Sequence, residues 1–453
     1  MKHEKKEKLI NELFALYEKN NVKYCLLRNF DFKSLQPNDD IDIVVETRSK
    51  KLNEKIVKIL TATSDYILIE NFKFNDNNVY TILIKDNYKI DVIHIHFQYN
   101  LRLNQITINK QNQIYLYNEK MIENTVKFKN YYILEKKYYI YVLLIHSVYD
   151  KGYFKENYSL ELSREISKIN LSELEEIFKE NFPGDLSSNL YEILENKDYF
   201  ELIENKEKIF SVNYSYKDYL DYKINKTRQY INWIKKILFS KGIFFTLLGP
   251  DGAGKSTIAK AVYSKIAYQK KEVLYLGSSK TKFLSFIKKK NEKSTSPRMN
   301  VSVKPSRKFI SPYKNRVRVY IRAIYNLVED AIYYMKYIKP KVSTDKIIIG
   351  DRYFYDVLTI KNSKMIPLIE YIILKLLPKP KFSILLLAEP KVIWTRKQEL
   401  SIDEITRITN EFRRLKRKYT FLNIKEVENS DVETASEKII EELWSELVKK
   451  HKK

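Results

Sequence analysis

The sequence predicts an α/β protein: a three-layer unit with a parallel sheet in its second half, preceded by an α+β half with a helical bundle extension. Three observations predict it. From residue 243 on, apolar runs without alternation (IFFTLL, EVLYLG, KIIIGD, FSILLLA, IKEVEN) are separated by segments of helical period. Strands apolar on both faces are covered on both faces, as in a parallel sheet between helices. The first run leads directly into a glycine-rich loop and a helix, Ile243 to Thr257. Before residue 130 the signal is strands and hairpins, and from 131 to 222 it turns helical. The expected boundaries are 1–130, a helical extension over 131–222, a basic linker helix over 223–242, and the loop-bearing unit over 243–453.

Size and charge limit the rest. A chain of 453 residues is too long for one ordinary core. Hydrophobic residues at 44% and charged residues at 31% are globular values. A formal charge of +25 implies an anionic partner: nucleotides, nucleic acid, a phospholipid surface or an anionic polymer. The lone Cys25 rules out an intramolecular disulfide and cysteine-rich zinc sites, which fits a reducing compartment. At the N-terminus Leu9, Ile10, Leu13, Phe14 and Tyr17 fall at helical spacing, which reads as an amphipathic helix and neither a signal peptide nor a membrane span. With no apolar run long enough to cross a bilayer, the expected location is cytoplasmic.

In chain order, KYCLLR (23–28) reads as a strand, the polar DFKSLQPNDD as a turn, and Asp40 to Val45 as a second strand. Asp40 and Asp42 share one face of it, because side chains two apart in a strand point the same way. Two carboxylates so placed invite Mg²⁺, a hard ion that takes oxygen ligands and often a substrate phosphate. VYTILIK and YKIDVIHIHF form a hairpin through Lys85, Asp86 and Asn87, and Asp91 is a candidate third carboxylate. His94 and His96 alternate to the face opposite Asp91 and are expected to stay out of its site. Helices follow from Leu134 to about Asp221. In the linker, Ile224, Tyr230, Ile231, Ile234, Ile237 and Leu238 line one side of a basic helix. Packing on its own domain is the favoured reading, and an anionic membrane the other.

The loop fits G-x-x-x-x-G-K-[ST] from Gly249 to Ser256. Backbone N–H groups over Gly249, Gly252, Ala253, Gly254 and Thr257 close around phosphate oxygens at a helix N-terminus. Lys255 reaches the β- and γ-phosphates of ATP, and Ser256 sits on Mg²⁺. In KIIIGDRYFYD, a strand ending in Asp351 brings a carboxylate beside the loop to hold the Mg²⁺ shell or orient the acceptor. Arg352 can neutralise charge on the phosphates being joined. WTRKQELSIDEITRITNEFRRLKRKY (394–419) is rich in arginine and reads as a closing lid, with Arg396 the arginine placed on the transferred group. A guanine-type Asn-Lys-x-Asp motif is absent from the sequence, which removes the GTPase alternative.

Two resemblances attach to these residues. LLRN, a turn, DDIDIVV and a later IDV look like the polymerase-β type of nucleotidyltransferase, in variants found beside surface-polysaccharide genes. The resemblance implies that Asp40 and Asp42 bind two metals holding a nucleoside triphosphate, with Asp91 completing the site. The helical bundle from Leu134 resembles the C-terminal part of the same family, which implies basic residues on the triphosphate, with Lys151 a candidate. The family's Gly-Ser helix cap is replaced by Leu27, Arg28 and Asn29, so either Arg28 takes over phosphate binding or the domain no longer transfers nucleotides. GPDGAGKST, DRYFYD and the RK-x-E lid look like the thymidylate kinase family over about Ile243 to Lys449. That resemblance implies that Asp251 contacts the acceptor sugar, and that Asp351 and Arg352 serve the acceptor phosphate and metal. The family's Arg-Glu-Pro-Gly signature is replaced by Gly277, Ser278, Ser279 and Lys280, and Leu387 stands where relatives commonly have aspartate. A strongly basic insert, 280–322, follows and reads as a loop suited to a larger or more anionic acceptor.

The expectation is thus a thymidylate kinase-type phosphotransferase using ATP and Mg²⁺, fused to a nucleotidyltransferase-like domain and serving surface polysaccharide or glycan synthesis. Its acceptor is an anionic small molecule or a glycan. The alternatives are a nucleotide-controlled assembly or regulatory protein with an inactive transferase domain, and a nucleic-acid processing ATPase.

Overall fold

The computed structural model describes residues 4–27, 39–74, 77–99, 101–106, 111–116, 118–147, 156–181, 242–276, 331–359 and 367–452, with isolated positions between them. Arg28, Asn29, the 31–38 turn, Lys151, most of 182–241, Gly277 to Lys280 and the insert 280–322 lie outside the described residues. The chain divides into two units, one of residues 1–84 and 92–233, the other of 234–453 with 85–91.

In the first unit, α1 (Glu4–Lys19) precedes β1 (Tyr24–Leu26), β2 (Asp40–Val45) and α2 (Lys50–Leu60). Strands β3 (Tyr66–Phe74), β4 (Asn77–Asp86) and β5 (Lys89–Gln98) follow, then the pair β6 (Leu101–Ile106) and β7 (Gln111–Leu116). After α3 (Asn118–Glu123) come β8 (Thr125–Phe128) and β9 (Tyr131–Leu134), and then α4 (Lys136–Ile145), α5 (Glu156–Ile166) and α6 (Leu171–Asn181). Seven strands form a mixed sheet in the order β3-β4-β5-β2-β1-β9-β8, in which β2 runs parallel to β5 and β1 parallel to β9. All five apolar residues of α1 that the sequence singled out are buried, in a core with Ile41, Ile43, Ile95 and Phe97. A polar thread runs through it: Tyr17 donates to Asn53 at 2.5 Å, and Asn53 donates to the Tyr99 hydroxyl at 2.6 Å. Pairing of this kind removes the cost of burying those groups. A second core gathers Cys25, Leu143, Leu162 and Leu174 where α4, α5 and α6 meet the sheet. Cys25 is buried there, and burial pushes its thiol up, so it behaves as a small apolar group.

In the second unit β10 (Ile243–Leu248), α7 (Lys255–Ser264), β11 (Lys271–Tyr275), α8 (Lys339–Ser343) and β12 (Ile347–Asp351) come first. Then follow α9 (Tyr355–Leu358), α10 (Pro367–Leu376), β13 (Phe382–Leu387), α11 (Pro390–Arg396), α12 (Ile402–Lys418), β14 (Ile424–Glu428) and α13 (Val432–His451). The five strands are all parallel in the order β11-β12-β10-β13-β14. β10 is central and buried at all six positions, and Phe245 stacks on Phe382 of β13 with ring centroids 4.8 Å apart. Each such side chain contributes about 1.5–3 kcal/mol by leaving water. Helix starts are capped by their own sequence: Ser401 accepts from the Glu404 N–H at 3.2 Å, and Asp431 from the Thr434 N–H at 2.9 Å.

One difference from the sequence reading concerns a surface. The linker's described positions Ile224, Tyr230, Ile231 and Ile234 are helical but about half exposed, so at those positions the favoured packed face is not formed. Among the described residues no helix is long and apolar enough to cross a membrane.

Candidate active site

The site grows from the C-terminal end of β10. Gly252 has φ 90° and Gly254 φ 86°, backbone that L side chains resist. Space forbids a side chain as well: a Cβ on Gly254 would lie 2.6 Å from Asn429 Nδ2, and one on Gly252 3.0 Å from the Ile393 carbonyl. Gly254 caps α7, and the Ile258 N–H donates to its carbonyl at 2.9 Å, so the helix begins at Lys255 with its free N–H groups toward the loop. Lys255 is 6% exposed and folds back to donate to the carbonyls of Gly249 and Pro250, each at 2.8 Å. Burial pulls its pKa down, and the nearby Arg352 charge adds to that, against the pull of Asp356, Asp251 and Asp351. Ala253 is fully buried and Thr257 exposed.

β12 pairs with β10 in a register that sets Asp351 opposite Leu247, the residue two before the loop. Asp351 is 4% exposed, and the Ser256 hydroxyl donates to its Oδ2 at 2.5 Å. Its Oδ1 is buried with no partner among the described residues. An orphaned carboxylate oxygen beside a hydroxyl is a set of hard oxygen donors, and it fits Mg²⁺. Arg352 follows at φ 76°, a strained backbone for a residue with a Cβ. Its N–H donates to the Leu247 carbonyl at 3.1 Å, its guanidinium pairs with Asp251, and Nη1 donates to Asp356 Oδ2 at 3.2 Å. Tyr275 of β11 lies under the guanidinium, 6.0 Å from it. Burial would raise the Asp251 carboxyl, but the charges of Lys255, Arg352 and Lys397 outweigh it and hold it low. Burial pushes Asp356 up to about 6, although Lys255 and Arg352 oppose it.

Lys255, Ser256, Asp251, Asp351 and Arg352 therefore meet at one sheet edge. The lid residues divide. Arg396 ends α11 with its side chain exposed, and Lys397 pairs with Glu399 at 3.0 Å. Arg407 is held by Glu404 and the Thr359 carbonyl, both at 2.7 Å. Arg414 forks onto Glu370 at 2.9 and 3.1 Å, so these two arginines brace α12 in the fold. Two residues of the site escaped sequence reasoning. Asn429, 3% exposed just past β14, donates to the Ala253 carbonyl at 2.8 Å and thereby holds the loop. Its signal was its position just past the carboxyl end of the last strand of the parallel run. Asp356 stood in the quoted DRYFYD, four residues after Arg352, the spacing of an ion pair on a helical turn.

In the first unit the parallel register of β2 and β5 sets Asp40 opposite His94 and Asp42 opposite His96. The histidines share the face of the two carboxylates, and strand alternation turns Asp91 to the other face. His96 Nε2 lies 3.5 Å from Asp40 Oδ1, and its Nδ1 3.4 Å from Asp42 Oδ1. Gln98 donates to Asp42 at 3.2 Å, and His94 Nδ1 meets the Thr81 hydroxyl at 3.1 Å. Burial alone would lower the His96 pKa, but the Asp42 hydrogen bond and the charges of Asp42 and Asp40 raise it. The structure thus joins Asp40 and Asp42 to His96, the residue that alternation had set aside, and not to Asp91. Among the described residues no group of three His, Cys, Asp or Glu has metal-holding geometry.

Fold and loop together define a parallel α/β unit with a glycine-rich loop at the carboxyl edge of its sheet. Among solved structures, thymidylate kinase from Ehrlichia chaffeensis is similar at 14% identity and a TM-score of 0.28, over 45% of this chain and 98% of that one. No family model matches the chain, and no curated protein matches it. At that TM-score the likeness carries no argument, and the functional reading stands on the residues of the site.

Proposed function

We propose that the second unit is a phosphotransferase that moves the γ-phosphoryl group of ATP to a small acceptor, in the manner of a thymidylate kinase-type enzyme. The observation that carries this reading is the Ser256–Asp351 contact with its orphaned Asp351 Oδ1, beside a buried Lys255 and a helix N-terminus. Backbone N–H groups of the loop and of the first turn of α7 bind the triphosphate. Lys255 exchanges the Gly249 and Pro250 carbonyls for phosphate oxygens. Ser256 and Asp351 would hold Mg²⁺, which when bound neutralises phosphate charge. Asp251 and Arg352 orient the acceptor, and Arg396 is the lid cation proposed to reach the transferred group.

In the same proposal the first unit is a nucleotidyltransferase-like domain whose Asp40 and Asp42 face holds a metal-bound nucleotide. The pair works with the kinase unit in building a surface polysaccharide or glycan. The partners are ATP and an anionic or glycan acceptor, at a cytoplasmic site. Two carboxylates on one face of β2, opposite His94 and His96 of β5, support the assignment of that edge.

ADP formation from Mg·ATP by the full chain, with dTMP, sugars and glycans as acceptors, tests the kinase reading. Lys255→Ala is expected to lower turnover by about 100-fold or more, since it removes the cation on the transferring phosphates. No ADP formation with any acceptor overturns the reading.

A further inference from the structure

Arg352 is the cation on the acceptor side of the loop, and both arms of its guanidinium are occupied. Nη2 donates to Asp251, Nη1 donates to Asp356 at 3.2 Å, and Nε is buried without a partner among the described residues. An arginine that receives a phosphate monoester offers two parallel N–H groups. Here that fork is split between two carboxylates on opposite sides. A dianionic acceptor phosphate would have to break both pairs and then lie beside the two carboxylates it displaced.

The surrounding charge argues the same way. Lys255 and Arg352 face Asp251, Asp351 and Asp356, while Lys397, which also acts on Asp251, is paired to Glu399 at 3.0 Å. With Lys255 committed to the donor triphosphate and Asp351 to its metal, Asp251 and Asp356 still outnumber Arg352 on the described acceptor side. Two like charges 4 Å apart near a protein surface repel by about 4 kcal/mol, enough to decide against a dianion. Asp356, by contrast, has spare capacity for a hydroxyl. Only its Oδ2 is bonded, by Arg352, and its Oδ1 is buried with no donor among the described residues, which leaves it as the open acceptor position of that carboxylate.

We propose that the acceptor is a neutral hydroxyl compound of the sugar class, and that Asp356 receives the proton of the hydroxyl being phosphorylated. This rests on the phosphotransferase reading of the second unit. The acceptor oxygen forms a bond to the γ-phosphorus as the bond from that phosphorus to the β,γ-bridging oxygen breaks. ADP leaves with the electron pair, and the hydroxyl proton passes to the Asp356 carboxylate and then to solvent. Burial, which pushes Asp356 up to about 6, suits it to this work near neutral pH, whereas Asp251 is held low and is the poorer base.

The test measures ADP formation by the full chain with neutral probes (glycerol, glucose, N-acetylglucosamine) and monoester probes (dTMP, glucose 6-phosphate). Neutral probes are expected to raise turnover above the rate with water alone, and monoesters are not. Asp356→Asn and Asp356→Ser should each lower turnover about 100-fold, the usual scale for a lost general base, while the Kd for Mg·ATP stays unchanged and certifies the fold. Stronger stimulation by either monoester overturns the inference. So does wild-type hydrolysis in both Asp356 variants, because water is itself a neutral hydroxyl acceptor. Turnover that is lost in Lys255→Ala but kept in the Asp356 variants would sink this inference alone, and no turnover in any arm would sink the kinase reading with it.

Discussion

Asp40 and Asp42 repel each other unless positive charge lies between them, and His96 sits with one ring nitrogen toward each carboxylate, which favours its protonated form. That arrangement makes two linked predictions for a single double variant, Asp40→Asn with Asp42→Asn. Removing both charges leaves only burial acting on the imidazole, so its pKa, followed by NMR, is expected to fall below that of the wild type. If it stays put, the carboxylates are not what raises it. The same variant should lose pyrophosphate release from nucleoside triphosphates if this face is the transferase site. Release that persists would place that site elsewhere. The pairing was legible only in part. The period-2 pattern puts 40 with 42 and 94 with 96, but which strands become neighbours, and in what register, depends on the whole sheet.

At the level of elements, the central strands and the loop could be read directly because each carries its own signal. β10, β12 and β13 are apolar but for Thr246, Asp351 and Ser383 since both faces are covered, and Gly254 is required by its φ. What could not be read was the fate of charges brought together from distant elements. α12 looked like a lid because its arginines are dense, yet Arg414 forks onto Glu370 of α10, 44 residues earlier. Glu370 is 5% exposed and also accepts from Tyr419 at 2.7 Å, so it is a buried anion that depends on its partners. Arg414→Ala should destabilise the second unit, but by less than the about 3–5 kcal/mol of a buried charge left wholly unpaired, because Lys418 at 3.6 Å and Tyr419 stay on Glu370, and Glu370→Gln with Arg414→Met should cost less still. Urea unfolding checks this, and a midpoint unchanged in Arg414→Ala would show the pair to be incidental. Burial would raise the Glu370 carboxyl, but the Arg414 and Tyr419 hydrogen bonds lower it overall. Its folded pKa is therefore below the unfolded one. The stability it contributes is present above the unfolded value and is lost as pH falls through the folded one.

For the molecule as a whole, the formal charge of +25 is unevenly spread: the insert 280–322 holds fourteen Lys and Arg residues against one Glu, about half of the excess. The described residues around the loop show the opposite tendency, with Lys255 and Arg352 exceeded by Asp251, Asp351 and Asp356, so the positive excess is not needed to hold the acceptor proposed above. It is better suited to an extended anion, such as a glycan carrier or a nucleic acid, whose binding releases counterions and so weakens steeply with salt. Replacing 280–322 with a Gly-Ser stretch of equal length tests this division of labour. The variant should elute from immobilised heparin at clearly lower salt and show a shallower salt dependence of polyanion binding, while its Kd for Mg·ATP is unchanged because Lys255, Ser256 and Asp351 are intact. Elution at the wild-type salt concentration would place the anion-binding surface elsewhere in the chain. A large loss of ATP affinity would instead show that the insert belongs to the nucleotide site, and that the cations the acceptor side lacks are supplied from there.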